Sequence, residues 1–262
     1  MSRAERLNAV LDLLARQGQV EVDEIVTHLD VSPATARRDL DSLAKQQLLT
    51  RTRGGAIAHS VAYELPVRYK DQSRADQKQR IAAAASLLVA HGDIVGLSGG
   101  TTSTAIATAL GARADLMEPG PTPNLTIVTN AVNIAAQLAT RSTLKIVVSG
   151  GVVNSRSYEL VGDFADHVLG SLSLDIAFVG ANAVDSELGA TTDDEREAAV
   201  NRLMASRARR AVIVVDSSKF DRRAFATMGG ADLFPTIITD DGITDAQRAA
   251  LAEQGFEVVI AP

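Results

Sequence analysis

The feature that most constrains this chain is a short stretch near its N-terminus that carries the signals of a helix. It runs VSPATARRDLDSL from Val31 to Leu43. Ser32 is a good N-cap because its hydroxyl accepts from a free backbone amide, and Pro33 suits the first helical position. The apolar residues recur at i, i+4 and i+7, which predicts one buried stripe: Ala36, Leu40 and Leu43.

The face opposite this stripe carries two adjacent arginines behind short residues. At about 100° per residue, Arg38 lies opposite the stripe and Arg37 on its flank. A helix whose N-terminal half enters a DNA major groove needs short residues followed by such donors. For an Arg-Arg pair alone, a solvated helix face is the alternative. The predicted DNA-contacting residues of this helix are Ser32, Ala34, Thr35, Arg37 and Arg38.

The flanking segments favour the DNA-binding interpretation. An apolar stripe predicts a first helix that ends near Gly18, and Asp23 is expected to cap a second helix that stops at Asp30. Two short helices joined by so tight a turn form a helix-turn-helix. Residues 48–57, LLTRTRGGAI, alternate and then break at paired glycines, which predicts a hairpin wing. We expect Arg51 and Arg53 to reach phosphate oxygens from that wing.

From residue 75 onward the pattern changes to strands alternating with helices. We expect Lys78 to open the first helix of this region. Continuous apolar strands separated by helices predict a largely parallel sheet covered on both faces. The predicted domains are a winged helix-turn-helix at 1–58, a linker at 59–74 and an α/β domain at 75–262. The predicted strands are Ile94–Leu97, Leu125–Val128, Leu144–Val148, Ile176–Val179, Ala211–Val215, Thr236–Thr239 and Val258–Ile260.

Ligands on such a sheet bind beyond the carboxyl ends of the strands, so the loops there are the candidate site. The first is glycine- and hydroxyl-rich and joins a strand directly to a helix, which suits a phosphate without Mg²⁺. It is not a Walker A loop, because no Gly-Lys-Ser/Thr follows. The alternative is a plain strand-to-helix turn. The residues are Ser98, Gly99, Gly100, Thr101, Thr102 and Ser103.

The later loops are more ambiguous. Thr129 and Asn130 follow the next strand, where Asn130 is as well suited to cap a helix as to contact a ligand. Gly150 and Gly151 allow close approach of a ligand, although a tight turn also needs glycine. Lys219 is the best single candidate for a charge against phosphate, with a solvated lysine as its alternative.

The segment Gly180-Ala181-Asn182, which follows the fourth strand, is equally ambiguous. The acidic residues Asp193, Asp194, Glu195 and Glu197 stand at a predicted helix start, where acids complement the helix dipole. Most of them are therefore predicted to be structural.

Charge and composition narrow the function classes. Residues 1–59 hold eight basic and eight acidic groups, so the remaining 18 basic and 24 acidic groups carry the net charge of −6. A locally basic face on an acidic protein limits non-specific DNA binding. The sequence has no cysteine, and we expect a cytoplasmic protein without a membrane segment. With three tyrosines, six phenylalanines and no tryptophan, a base-stacking RNA platform is disfavoured.

The chain also resembles a known family. The run from Arg6 to Ala56, with VSPATARRDLDSLAKQQLLTRTRGGA, is similar to the DNA-binding head of the DeoR family of bacterial repressors. VGLSGGTTSTAIATAL, TIVTNAVNIAAQL, GGVVNSRSYELVG, AFVGANAV, GATTDDEREAAVNRLM and VVDSSKF follow in the order expected of that family's effector domain.

The resemblance implies a fold similar to phosphosugar isomerases and release from DNA by a phosphorylated sugar. It implies that the glycine-threonine loop holds the phosphate and that Asn182, Glu197 and Lys219 line the sugar side. Two departures alter this picture. The family's Leu-Asp-Ser-Gly-Thr-Thr loop has Ser98 in place of the acid, and its Glu-Ala-x-Val-Lys motif has Asn201 in place of the lysine.

Two functional classes follow from these observations. We expect a homo-oligomeric, DNA-binding repressor of sugar-metabolism genes that binds a double-stranded operator and senses a phosphorylated sugar. No catalytic residue, metal site or cofactor is predicted. The alternative is a phosphosugar isomerase-like enzyme with an accessory DNA-binding head. It is disfavoured because isomerisation needs a positioned base, and all four histidines lie outside the candidate loops.

Overall fold

The computed structural model describes residues 3–17, 19–45, 49–57 and 74–262. The chain divides between Ser73 and Arg74 into two compact units, here called the N-terminal and the C-terminal unit. The predicted linker, residues 59–74, falls outside the described residues except for Arg74. The predicted domain boundaries therefore stay a prediction.

Three helices and a small sheet form the N-terminal unit. The helices are α1 (Arg3–Gln17), α2 (Val22–Leu29) and α3 (Pro33–Lys45). The predicted cap of the second helix at Asp23 is wrong, because the N-cap is Glu21, which forms a reciprocal capping box with Glu24. That box starts α2 two residues earlier, at Val22, and Asp23 then lies in its first turn, where an acid favours the helix dipole.

The three strands of this unit form an antiparallel sheet in the order β1-β3-β2. They are β1 (Gln19–Glu21), β2 (Thr50–Arg51) and β3 (Gly55–Ile57). The β2–β3 hairpin is the predicted wing. A single apolar core joins the three helices to this sheet, and burying it is the main force that holds so small a unit together. The described residues thus confirm a winged helix-turn-helix.

A seven-stranded parallel sheet organises the C-terminal unit, in the order β15-β14-β12-β9-β4-β5-β6. Every pair of neighbours runs parallel, as predicted. Its strands are β4 (Ile94–Leu97), β5 (Leu125–Thr129), β6 (Leu144–Val148), β9 (Leu174–Val179), β12 (Ala208–Val214), β14 (Thr236–Thr239) and β15 (Glu257–Ile260).

Helices cover both faces of this sheet. Alternate residues of β9 separate into two buried clusters, with Ile176 and Phe178 in one and Ala177 and Val179 in the other, as the two-residue period of a strand requires. The first cluster includes residues of α4, α5 and α6, and the second includes residues of α7, α8 and α9. Their bounds are α4 (Ala75–Ser86), α5 (Thr101–Ala112), α6 (Val132–Leu138), α7 (Phe164–Leu169), α8 (Glu195–Ser206) and α9 (Asp245–Glu253).

The expected start of α4 at Lys78 is wrong by three residues. The helix begins at Ala75, and Lys78 is one of its buried residues. Two small antiparallel sheets were not predicted. One pairs β7 (Val152–Val153) with β8 (Leu160–Val161), and the other has the order β10-β11-β13, with β10 (Ala183–Asp185), β11 (Gly189–Thr192) and β13 (Ala226–Gly229). Within the described ranges, no helix combines the length and apolarity needed to span a bilayer.

Candidate functional site

The start of α3 is capped as the sequence predicts. The amide of Thr35 donates to the Ser32 hydroxyl over 3.2 Å, and the two hydroxyl groups lie 2.9 Å apart. These two side chains therefore hold the helix start. Ala34, Arg37 and Arg38 are exposed on the same helix. The two arginines are therefore exposed to solvent shortly after the capped start of the helix.

The opposite face of α3 is fixed to the rest of the unit. Ala36, Leu40 and Leu43 have no exposed surface, which confirms the predicted stripe. Asp39 is also buried, and its carboxylate accepts two hydrogen bonds from the guanidinium of Arg6, one from Nη2 to Oδ1 at 3.1 Å. That hydrogen bond raises the pKa of Arg6 above its usual value, against the opposing effect of burial. Helix α3 is therefore anchored by packing and by one partly buried ion pair.

The two wing arginines lie in different environments. Arg51 donates from Nε to Oδ1 of Asp41 over 2.9 Å and from Nη1 to the Gly55 carbonyl. It therefore ties the wing to α3, because Asp41 belongs to that helix. Arg53 is exposed at the turn of the hairpin. The wing thus offers Arg53 to a partner while Arg51 braces the wing itself.

In the C-terminal unit, two buried serines anchor the loop after β4. Ser98 and Ser103 are fully buried. The Ser98 hydroxyl accepts from the amide of Gly180, after β9, over 2.9 Å and lies 3.4 Å from the Ser103 hydroxyl. These hydrogen bonds fix the conformation of the loop. Gly100 and Thr101 are half-buried, and Thr102 lies just inside the α5 start.

The loop after β5 is buried and hydrogen-bonded to neighbouring segments. The Thr129 hydroxyl donates to the Leu97 carbonyl over 2.6 Å and accepts from the Ala131 amide over 3.0 Å. Helix α6 has Ala131 as its N-cap, so the capping alternative for Asn130 is wrong. Asn130 instead points its amide at Glu159, with Nδ2 2.9 Å from Oε2.

Sequence reasoning missed Glu159 and the role of Asn201. Both are buried, and Asn201 donates from Nδ2 to Glu159 Oε2 over 3.2 Å. The available signal was a charged residue directly before the buried pair Leu160–Val161. Its partners are 29 and 42 residues away in sequence, so no local pattern identifies them.

Glu197 lies in a second polar cluster next to the first. Its carboxylate accepts from Asn154 Nδ2 over 2.8 Å, from Thr192 Oγ1 over 3.3 Å and from the Ser157 hydroxyl. Asp194 caps α8 and accepts from two of its amides, as predicted for acids at this helix start. The Arg196 guanidinium, hydrogen-bonded to it, lowers the pKa of Asp194 despite partial burial.

The remaining predicted ligand residues lie around these clusters. Asn182 donates to Asp193 Oδ2 over 2.6 Å. A Cβ on Gly151 would lie 2.7 Å from the Val161 carbonyl oxygen, so the close approach that this glycine allows is to strand β8. Lys219 is half-buried in the 3-10 turn after β12, and a bridge between the next residue, Phe220, and Val184 places that turn beside β10.

A winged head with exposed arginines, followed in the same chain by a parallel sheet with polar loops at its strand ends, defines a DNA-binding transcriptional regulator with a sensor domain. The chain matches the DeoR-like helix-turn-helix domain over residues 6–61 and the DeoR C terminal sensor domain over residues 73–241. It belongs to the DeoR family.

Two of its relatives are named as repressors. It is 32% identical over 240 residues to the glycerol-3-phosphate regulon repressor of Escherichia coli (strain K12), covering 92% of each chain. It is 33% identical over 246 residues to the lactose phosphotransferase system repressor of Lactococcus lactis subsp. lactis, covering 93% of each. These relatives support a regulator over the enzyme alternative.

Among solved structures, ribose 5-phosphate isomerase A from Methanocaldococcus jannaschii overlaps with a TM-score of 0.42 at 21% identity. The overlap covers 56% of this chain and 55% of that chain. An overlap of this extent carries no weight for the chain's activity.

Proposed function

We propose that the chain is a sequence-specific repressor of sugar-metabolism genes, released from its operator when a phosphorylated sugar binds the C-terminal unit. The observation that carries this proposal is the pair of exposed arginines, Arg37 and Arg38, on a reading helix anchored by a buried stripe and by Asp39. The relatives named for a glycerol-3-phosphate regulon and a lactose phosphotransferase system favour genes of this kind.

On the DNA side, the short residues Ala34 and Thr35 let the helix start approach base edges. Arg38 then reads a base, since arginine binds guanine through two hydrogen bonds. Arg37 and Arg53 neutralise phosphates. Ser32 and Arg51 contribute by holding the helix start and the wing, where their side chains are already engaged.

On the effector side, the phosphate binds the loop of residues 98–103 at the start of α5, where backbone amides and the helix dipole favour an anion. Ser98, Ser103 and Thr129 support this loop through buried hydrogen bonds. The sugar part extends toward Asn130, Asn182, Glu197 and Lys219. Gly99, Gly100, Thr101, Thr102, Gly150 and Gly151 complete the proposed set of residues.

We further propose that the protein works in the cytoplasm as a homo-oligomer, so that paired heads meet half-sites about 34 Å apart. In this proposal the chain comprises a DNA-binding domain at 1–58, a linker at 59–74 and an effector domain at 75–262. Effector binding orders the pocket loops and changes the relation of the paired heads, which weakens operator affinity. Coupling between two such sites typically amounts to about 1–3 kcal/mol.

A DNA-binding titration tests this function. The full chain is titrated onto a labelled fragment of the region upstream of its own gene, with scrambled DNA as the control, and the titration is repeated with a panel of sugar phosphates. We expect sequence-preferring binding and its loss with one compound. Equal affinity for scrambled DNA contradicts the DNA-reading assignment. Specific binding that no compound weakens contradicts the effector assignment.

A further inference from the structure

The side chain of Glu159 fills the space beside Gly99. A Cβ built on Gly99 would lie 2.5 Å from Glu159 Oε1 and 2.7 Å from its Cδ, closer than real Cβ atoms approach other atoms. Glu159 itself is 5% exposed. A buried carboxylate therefore rests directly against the loop assigned to phosphate, and the absence of a side chain at Gly99 makes room for it.

The hydrogen bonds around this carboxylate fix the orientation of Asn130. Its Nδ2 donates to Glu159 Oε2 over 2.9 Å and to Asn201 Oδ1 over 3.2 Å. Asn201 Nδ2 closes the triangle with a 3.2 Å bond to the same carboxylate oxygen. Turning the Asn130 amide over would place its oxygen against a group that only accepts. The oxygen of Asn130 must therefore point away from both partners.

This orientation leaves a buried acceptor without a donor. Asn130 has no exposed surface, and its Oδ1 has no hydrogen-bond partner among the described residues. Buried polar atoms nearly always have a partner, and leaving one unsatisfied is costly. A ligand that brings a hydroxyl or amino donor to Asn130 Oδ1 would recover that cost.

The same carboxylate penalises some ligands. A phosphate in the adjacent loop carries negative charge, and like charges at close range repel. A bare anion gains the loop amides against this repulsion, whereas a ligand with donors also gains a hydrogen bond to Asn130 Oδ1.

We infer that Glu159 is a specificity-determining residue that disfavours bare anions and, with Asn130, selects phosphorylated ligands bearing hydrogen-bond donors. This inference rests on the proposed function, because it takes the loop of residues 98–103 as the phosphate site. It goes further by assigning the discrimination between sugar phosphate and free phosphate to one side chain.

Calorimetric titration of the full chain tests the inference. The ligands are inorganic phosphate, ribose 5-phosphate, glucose 6-phosphate and glucosamine 6-phosphate, and the best binder is compared with phosphate. The variant is Glu159→Gln, which keeps size and removes charge. Glu253→Gln is the control, because Glu253 is an exposed glutamate of α9.

We expect Glu159→Gln to change the two affinities in opposite directions. Phosphate affinity should rise roughly threefold, because a repelling charge is gone. Affinity for the best sugar phosphate should fall about tenfold, because a neutral amide at position 159 holds Asn130 Nδ2 less firmly and so no longer fixes its Oδ1 as the acceptor for the ligand. Glu253→Gln should change neither. A merely structural role would weaken both ligands together, and that result, or no change in either, overturns the inference.

A pair of compensating substitutions provides a second test, which does not depend on whether Glu159→Gln folds. Gly99→Ser alone should lower the melting temperature, and adding Glu159→Ser should restore it, because the shorter side chain frees the space. The pair lacks the carboxylate and should show the same opposite affinity changes. If the wild-type protein binds phosphate at least as tightly as every sugar phosphate, this inference alone is overturned. Wild-type protein that binds none of the ligands overturns the proposed phosphate site as well.

Discussion

The two units place their candidate functional side chains in opposite ways. In the N-terminal unit, Arg37 and Arg38 are exposed, and different residues of the same helix, such as Leu40 and Asp39, are buried and hold it in place. In the C-terminal unit, the predicted ligand residues Ser98 and Asn130 are themselves buried and hydrogen-bonded to other segments of the unit. In the N-terminal unit, the residues predicted to bind DNA differ from those that hold the structure in place. In the C-terminal unit, the same residues are predicted to do both.

This difference has a physical basis. A DNA-reading helix meets a large external partner, so its contacts lie on the surface and its anchors behind it. A small-molecule site encloses its ligand, so its polar groups are desolvated, and most of them are satisfied by neighbouring protein groups before the ligand arrives. Mutations should therefore separate function from stability in the N-terminal unit and not in the C-terminal unit.

The largest effect is expected from Asp39→Ala, which removes a support of the reading helix. It leaves Arg6 without its buried partner and should lower the stability of the N-terminal unit by about 3 kcal/mol. Denaturation followed by circular dichroism measures this loss. Asp41→Ala on the same helix is the control, because its pair with Arg51 is exposed and should contribute less than about 1 kcal/mol. Equal losses would refute the anchoring role of Asp39.

Arg38→Ala should affect function without stability. Losing one two-bond base contact costs about 1–3 kcal/mol of DNA affinity, or roughly five- to 150-fold. Fluorescence anisotropy on operator and scrambled DNA measures the loss of preference, with the melting temperature recorded on the same sample. Retained sequence preference would show that another residue reads the bases.

Ser98→Ala should affect both properties at once in the C-terminal unit. It deprives the half-buried Gly180 amide of its acceptor and should cost about 1–2 kcal/mol of stability. Phosphate binding should weaken in parallel, because the loop is no longer held. Ser186→Ala, in a half-buried turn after β10, is the control. Weakened ligand binding at unchanged stability would show that Ser98 contacts the ligand directly.

The smallest effect concerns Asp194 and acid. Its folded pKa lies below the ordinary 3.8, so its carboxylate stabilises α8 above about pH 4 and loses that contribution as pH falls through the lowered pKa. Asp194→Asn should cost about 0.5–1 kcal/mol at pH 7 and flatten the decline in stability between pH 5 and about pH 2. Melting temperatures across that range measure it. Asp232→Asn, at an exposed site, is the control and should leave the decline unchanged. If the decline in Asp194→Asn is as steep as in the wild type, the Asp194 carboxylate does not contribute to the acid-induced loss of stability.

The same difference explains what the sequence predicts. Helical spacing correctly assigns Ala36, Leu40 and Leu43 to the buried face, because that assignment depends on neighbours within one helix. Strand length and apolar runs likewise predict the seven parallel strands.

The triangle of Asn130, Glu159 and Asn201 is different, since its members come from three segments that only the tertiary fold brings together. The sequence does not predict the β7–β8 hairpin or the sheet of β10, β11 and β13. Their strands are only two to four residues long, which is too short to show the two-residue alternation of a strand.

The central claim is that the two units are coupled, and one measurement tests it most directly. The affinity of the effector identified in the DNA titration is measured for the free protein and for the protein saturated with operator. Linkage requires the operator to weaken effector binding by the same factor by which effector weakens operator binding. We predict that shared factor to be about five- to 150-fold. Equal effector affinity with and without operator would contradict the account.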